Sequence, residues 1–175
     1  LRFLETAVVK WPIAGRFAIA RGARTEAEVV VATIRDGAHL GRGESVPYAR
    51  YGETVAGAVA AITAMADAVA EGINRETLRR TMPAGAARNA IDCALFDLEA
   101  KIARRSAAAI AGLPPLRPLV TAYTLSLDTP EAMGRAAAAA RARPLLKVKL
   151  GGAGDPARIA AVRANAPDSR LVVDA

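Results

Sequence analysis

The sequence predicts an α+β domain followed by the opening strands and helices of a (β/α) barrel, and three observations carry that prediction. Residues 1 to 46 alternate apolar and polar side chains with the period of a strand. Residues 53 to 105 carry helical periodicity. Beyond residue 118 strand-like and helix-like segments alternate with a repeat of about 25 residues, the rhythm of a parallel barrel. Strands first and helices second make an α+β domain, and strict alternation makes a parallel sheet.

In chain order, Phe3 to Trp11 and Phe17 to Ala20 read as strands, followed by Glu28 to Arg35. Asp36-Gly37 then turns the chain back into His39 to Ser45, since Asp-Gly between two alternating runs is a hairpin signal. Helices are expected over Glu53 to Ala70, Arg75 to Arg80 and Ala86 to Arg105, the last with Ile91, Ala94, Leu95 and Leu98 on one stripe. Gly112-Leu113-Pro114-Pro115-Leu116-Arg117-Pro118 cannot continue a helix and separates a domain over residues 1–112 from one over 113–175. The second holds strands at Leu119 to Leu127, Leu145 to Leu150 and Leu171 to Asp174, with helices at Pro130 to Arg141 and Pro156 to Ala164. Three strands fall short of a closed barrel, so an exposed parallel edge and half a core are expected.

Composition narrows the function classes. Hydrophobic residues make up 53%, yet no run approaches a membrane span. The start Leu1-Arg2-Phe3-Leu4-Glu5-Thr6 lacks the order of a signal peptide, and the single Cys93 has no internal disulfide partner, so a cytoplasmic protein is expected. The formal charge of +7 is spread along the chain and aromatics are 4%, which favours anionic small molecules over nucleic acid as partners.

The candidate chemistry lies in Pro144 to Leu150 and Leu171 to Ala175. Residues two apart on a strand share a face, so Lys147 and Lys149 point the same way, and Asp174 ends the next strand. Taken alone, a Lys-x-Lys pair on a short strand is usually a solvated face, and a terminal Asp a cap or turn residue. At the carboxyl ends of parallel barrel strands the same three residues make a polar cluster suited to general-base chemistry beside a metal ligand. Gly151-Gly152-Ala153-Gly154 lacks the Lys-Ser/Thr of a phosphate-binding loop and reads as a flexible connection. His39 reads as a polar hairpin residue, and i,i+4 spacing pairs Arg88 with Asp92.

Trp11-Pro12, Phe17 through Ala27, Gly43 through Glu53, Pro83 through Leu98, Leu146 through Leu150 and Val172 through Ala175 together resemble, in order and spacing, the enolase superfamily. Within it the likeness is to the dipeptide epimerases of the muconate-lactonizing subgroup, and it spans the whole chain. The resemblance implies an α+β capping and specificity domain, enolase N-terminal-like, over residues 1–112. Residues 113–175 would be the first part of a TIM-type (β/α) barrel, incomplete after its third strand. It implies an isomerase that moves a proton at the α-carbon of a carboxylate through a Mg²⁺-stabilised enolate, on a dipeptide such as Ala-Glu from peptidoglycan recycling. By this likeness Asp174 is the first of three metal ligands and Lys149 the acid/base on one face of the substrate. Lys147 supports Lys149 and neutralises the substrate carboxylate. Arg24 holds the glutamate side-chain carboxylate, and Thr124 hydrogen-bonds the substrate backbone. The other ligands and the opposing lysine belong to later strands, so these residues alone are expected to be inactive. Expected partners are the dipeptide and further copies of the chain, with neither nucleic acid nor membrane. A cycloisomerase or o-succinylbenzoate synthase shares the Lys-x-Lys frame, and a non-catalytic basic binding module is the alternative from another class.

Overall fold

In the computed structural model of the chain, residues 1–19 and 22–175 are described, with Gly15, Arg16 and Ile19 described by backbone alone. Ala20 and Arg21, which close the expected strand from Phe17 and open the Arg21 to Arg24 segment, lie outside the described residues. The chain forms two compact units, one of Leu1–Trp11 with Ala27–Leu116 and the other of Pro12–Glu26 with Arg117–Ala175. The second unit therefore starts at Arg117 and takes in the segment around Arg24.

One sheet has the order β1-β2-β3, with β1 at Phe3–Ile19, β2 at Gly22–Asp36 and β3 at His39–Ser45, β2 and β3 being antiparallel; residues 12–26 of its first two strands are those counted with the second unit. The sequence predicts two separate strands before residue 21, and one strand runs through instead. Proline lacks a ladder donor, and β1 is an edge strand where Pro12 is tolerated. The β2–β3 register closes on Asp36 opposite His39, so the two-residue loop is Gly37-Ala38, one residue later than the Asp-Gly pair, with Gly37 at φ +57° in the first loop position where glycine is favoured.

A 3-10 turn at Ala49–Tyr51 leads into α1 at Val55–Thr63, α2 at Ala66–Ala70, α3 at Arg75–Thr81, α4 at Ala86–Ile102 and α5 at Ala107–Ile110. The single helix expected from Glu53 to Ala70 is two, because Met65 N–H bonds to Ile62 O at 3.0 Å and tightens the turn between them. Side chains of Thr54, Asn74 and Ser106 cap α1, α3 and α5. Gly85 has no side chain to cap α4, and Glu53 supplies the acceptor from a distance, taking Ala86 N–H at 2.6 Å and Tyr48 N–H at 3.0 Å. The predicted stripe of Ile91, Ala94, Leu95 and Leu98 is buried against Val30, Ala32, Ile34, Ile62, Val69 and Leu78.

Helix α4 lies directly on β3. A Cβ at Gly41 would stand 2.1 Å from Ala94 O, and one at Gly43 2.0 Å from Ala90 O, so only glycine admits this approach. The outer backbone groups of β3 are taken up by α4 side chains. Asp97 Oδ2 accepts from Arg42 N–H at 2.9 Å, Lys101 Nζ donates to Leu40 O at 2.7 Å, and Asn89 Nδ2 donates to Glu44 O at 3.2 Å. The expected Arg88–Asp92 pair does not form. Asp92 accepts both arms of Arg75 at 2.9 and 3.1 Å, and Arg88 donates to the carbonyls of Arg79 and Met82. Spacing along one helix competes here with a fork-to-fork pair between helices, the stronger geometry.

The second unit contains a parallel sheet of order β4-β5-β6, with β4 at Tyr123–Leu125, β5 at Leu145–Lys149 and β6 at Arg170–Asp174. Helices α6 at Pro130–Ala139 and α7 at Asp155–Asn165 connect them. β4 is far shorter than the run expected from Leu119 to Leu127, since residues 119–122 are exposed and join no ladder. Leu125, Leu146 and Val148 pack on Met133, Ala137 and Ala140 of the α6 region and on Val162 and Ala166 at α7, which closes one face of the sheet. Among the described residues no helix is long and apolar enough to cross a membrane.

Candidate functional site

The opposite face of the parallel sheet carries four of the five predicted site residues. Register places Thr124 beside Lys147 and Lys147 beside Val172, then Lys149 beside Asp174, so Thr124, both lysines and the carboxylate share one face. The apolar partners of Leu146 and Val148 on the helices decide this orientation, because a one-residue slip would bury the lysines against α6 and α7. Leu150 N–H bonds to Asp174 O at 2.9 Å and extends the β5–β6 ladder past the last paired residues.

Both lysines converge on one oxygen. Lys147 Nζ stands 2.8 Å from Asp174 Oδ2, and Lys149 Nζ donates to the same Oδ2. The Lys149 side chain is 18% exposed and that of Lys147 37%, so the second lysine of the pair is the more enclosed. The Lys147 hydrogen bond first, and the Lys149 bond beside it, draw the Asp174 carboxyl down from 3.8 to about 2. Asp174 is thus ionised throughout the neutral range, as a hard-cation ligand has to be. Among the described residues no three His, Cys, Asp or Glu side chains stand together, and Asp174 is the carboxylate on this face that could serve as an oxygen donor.

The sign of this shift makes a prediction. Its folded value lies below its ordinary one, so the ion pairs favour folding above pH 3.8 and the contribution is lost as pH falls toward about 2. Carbon-detected NMR of the Asp174 carboxyl should show a midpoint near 2, moving up toward the ordinary carboxylate range in Lys147→Met. An unmoved midpoint in that variant would mean that the Lys147 contact is not made in solution.

Phe17 is a site neighbour to which the sequence alone assigns no role. Its ring centroid lies 5.9 Å from Lys149 Nζ, within cation–π reach. Ala18 O accepts from Leu127 N–H at 3.1 Å and ties this stretch of β1 to the end of β4. With Ile13 and Ala14, Phe17 walls a cleft of about 470 Å³ whose other side is Thr124, Leu125 and Ser126. The aromatic at an alternating position is visible in the sequence, but its partner lies more than a hundred residues away. Arg24 is exposed on β2, and no contact among the described residues joins it to the lysines.

Comparison with known proteins bears on the family and the fold. Residues 3–112 match the domain family described as mandelate racemase / muconate lactonizing enzyme, N-terminal domain. The chain is 41% identical over 167 residues to L-Ala-D/L-Glu epimerase of Escherichia coli (strain K12), covering 94% of this chain and 52% of that protein. It is 41% identical over 149 residues to an N-acetyl-D-glutamate racemase of a Pseudoalteromonas species, covering 84% of this chain and 47% of that protein. The chain thus spans about half the length of these curated relatives. Among solved structures, an enolase family member from Agrobacterium tumefaciens with homology to dipeptide epimerases, bound to sodium and L-Ala-L-Glu, superposes with TM-score 0.94. The two are 51% identical over 99% of this chain and 53% of that one. A dipeptide epimerase from Enterococcus faecalis complexed with Mg and L-Leu-L-Tyr gives TM-score 0.85 at 27% identity, over 99% of this chain and 52% of that one. With an antiparallel sheet and helical unit matching that domain, and a parallel sheet whose lysines meet a strand-end aspartate, the chain belongs to the mandelate racemase / muconate lactonizing enzyme family of the enolase superfamily.

Proposed function

We propose that this chain carries one metal ligand and one of two opposing bases of a Mg²⁺-dependent dipeptide epimerase acting on Ala-Glu. The observation that carries the proposal is the convergence of Lys147 and Lys149 on Asp174 at the ends of adjacent parallel strands. Residues 1–112 are the capping and specificity domain in this reading, and residues 113–175 open the barrel. The relatives named as epimerases support it, as does the Mg of the Enterococcus structure.

The α-proton of a dipeptide's terminal carboxylate is weakly acidic, and its removal needs a base on one face and charge stabilisation at the carboxylate. Asp174 would hold Mg²⁺ in part, and the bound ion would supply positive charge at the substrate carboxylate. Lys149 moves the proton on its face, for which it has to part from Asp174 and carry no proton itself. Lys147, staying beside Asp174, keeps a cation next to the substrate carboxylate. Thr124, beside Lys147 in the register, is placed to hydrogen-bond the substrate backbone. The peptides act as substrates in cytoplasmic peptidoglycan recycling, and the enzyme assembles from several copies.

A second reading is racemisation of an N-acylated glutamate, favoured by the identity to the N-acetyl-D-glutamate racemase. Exchange of the α-proton in deuterium oxide, followed by NMR with Ala-Glu and with N-acetylglutamate, tests both in a form of the relatives' full length. Exchange from Ala-Glu alone supports the dipeptide reading, and exchange from neither ends it. The 175 residues by themselves are expected to give no exchange, having one ligand and one side of the base pair.

Arg24 sets substrate choice in this reading, pairing its guanidinium fork with the glutamate side-chain carboxylate. Arg24→Met removes a charge-assisted contact worth roughly 1.5–3 kcal/mol, so kcat/KM on Ala-Glu should fall about tenfold to a hundredfold. Steady-state kinetics on Ala-Leu should change far less, and an equal loss on both substrates would remove Arg24 from glutamate recognition.

A further inference from the structure

The connection after β5 is braced, where the glycines of residues 151–154 suggest a flexible loop. Asp155 accepts from Gly151 N–H at 3.0 Å and from Gly152 N–H at 2.7 Å. Arg158 donates through Nη1 to Asp155 Oδ1 at 3.0 Å and to Ala153 O at 2.9 Å. Its Nε reaches back to Asp128 O, at 2.9 Å, in the loop that follows β4. The two side chains are 16% and 20% exposed, so the brace is largely enclosed. A Cβ at Gly151 would stand 2.6 Å from Leu127 Cδ2, so the leucine tip packs directly over this glycine. One arginine thus joins the loops leaving two adjacent strands, and its partner Asp155 holds the backbone at Gly151, two residues beyond Lys149.

We propose that Asp155 and Arg158 are positioning residues for Lys149, fixing the direction in which the chain leaves β5 and so holding its ammonium group at Asp174. The role matters for catalysis only if Lys149 is the base proposed above. The geometry itself does not depend on that reading. A backbone free to swing at Gly151 would let the strand end fray and the lysine sample solvent. The two-way grip explains the residue type, because the planar fork donates to two loops from one head while a lysine ammonium grips as a single point.

Competitive reductive methylation with a mass-spectrometric readout tests the proposal without any catalytic assay. In the 175-residue chain, Lys149 should label most slowly among Lys10, Lys101, Lys147 and Lys149. Arg158→Met should raise the Lys149 rate roughly three- to tenfold, less than the roughly tenfold to hundredfold of a direct charge-assisted contact because the effect reaches the lysine only through the backbone, and leave Lys101 unchanged. Arg158→Lys should recover only part of the protection. Equal acceleration of all lysines would signal unfolding, and Asp155→Asn in a form of the relatives' full length then decides by the same readings. An unchanged Lys149 rate in a folded variant, or equal acceleration of Lys147 and Lys149, overturns the positioning role. Proton exchange on Ala-Glu reports separately on the epimerase reading, so either can fail alone.

Discussion

Lys149→Ala, in a form of the relatives' full length, is expected to abolish epimerisation of Ala-Glu. A positioned general base contributes about 10²–10⁴ in rate, and a two-base reaction stops when either base is removed. Exchange of the α-proton should be lost from one stereoisomer and survive from the other, whose proton faces the opposing base. The fold should persist, because Asp174 keeps Lys147 at 2.8 Å as its counter-ion and the apolar face of β5 is untouched. Circular dichroism and thermal unfolding therefore serve as controls beside the NMR exchange assay. Full turnover by this variant would show that the base has been misassigned.

Gly43→Ala should severely destabilise the first unit, although it adds a single methyl group. The added Cβ would meet Ala90 O at 2.0 Å and Ala94 N at 2.6 Å, both backbone atoms of α4 that no rotamer change can move aside. Helix and strand have to separate, which stretches the bonds from Asp97, Asn89 and Lys101 and opens the core around Ala90 and Ala94. Overpacking of this kind costs about 3 kcal/mol or more, equivalent to a fall in Tm of at least roughly 12 °C for a domain of about a hundred residues. Gly41→Ala should behave alike, facing Ala94 O at 2.1 Å. Arg42→Ala, an exposed side chain between them, should stay within about 0.5 kcal/mol of the parent. A Gly43→Ala protein melting with the parent would refute the direct contact of α4 on β3.

Sequence reasoning reaches as far as local periodicity does. Alternation around Lys147 and Lys149 puts both on one face, and the helical stripe of Ile91, Ala94, Leu95 and Leu98 is the buried one. Meeting Asp174 depends on register between strands 25 residues apart, which alternation does not encode. Arg88 and Asp92 mislead for a related reason: spacing along α4 is local, while the fork of Arg75 arrives from α3. Pro12 argues for a break because edge position is a property of the sheet, not of the segment. Gly41 and Gly43 announce that something approaches β3 without saying what. Asp155 looks like an ordinary helix start until the amides of Gly151 and Gly152 are seen to point at it.

The side chains that α4 lends to β3 also bear on how the protein meets its own kind. An edge strand with free amides and carbonyls is a template on which another chain can add a strand, the route to fibrils and swapped dimers. On β3 the Arg42 amide and the Leu40 and Glu44 carbonyls are already spoken for by Asp97, Lys101 and Asn89. A second molecule would have to break three polar contacts and dislodge a helix before gaining a single ladder bond. Addition of a strand from another molecule is therefore opposed at this edge, and the crowded glycines, by letting α4 come close, guard the strand as well as pack it.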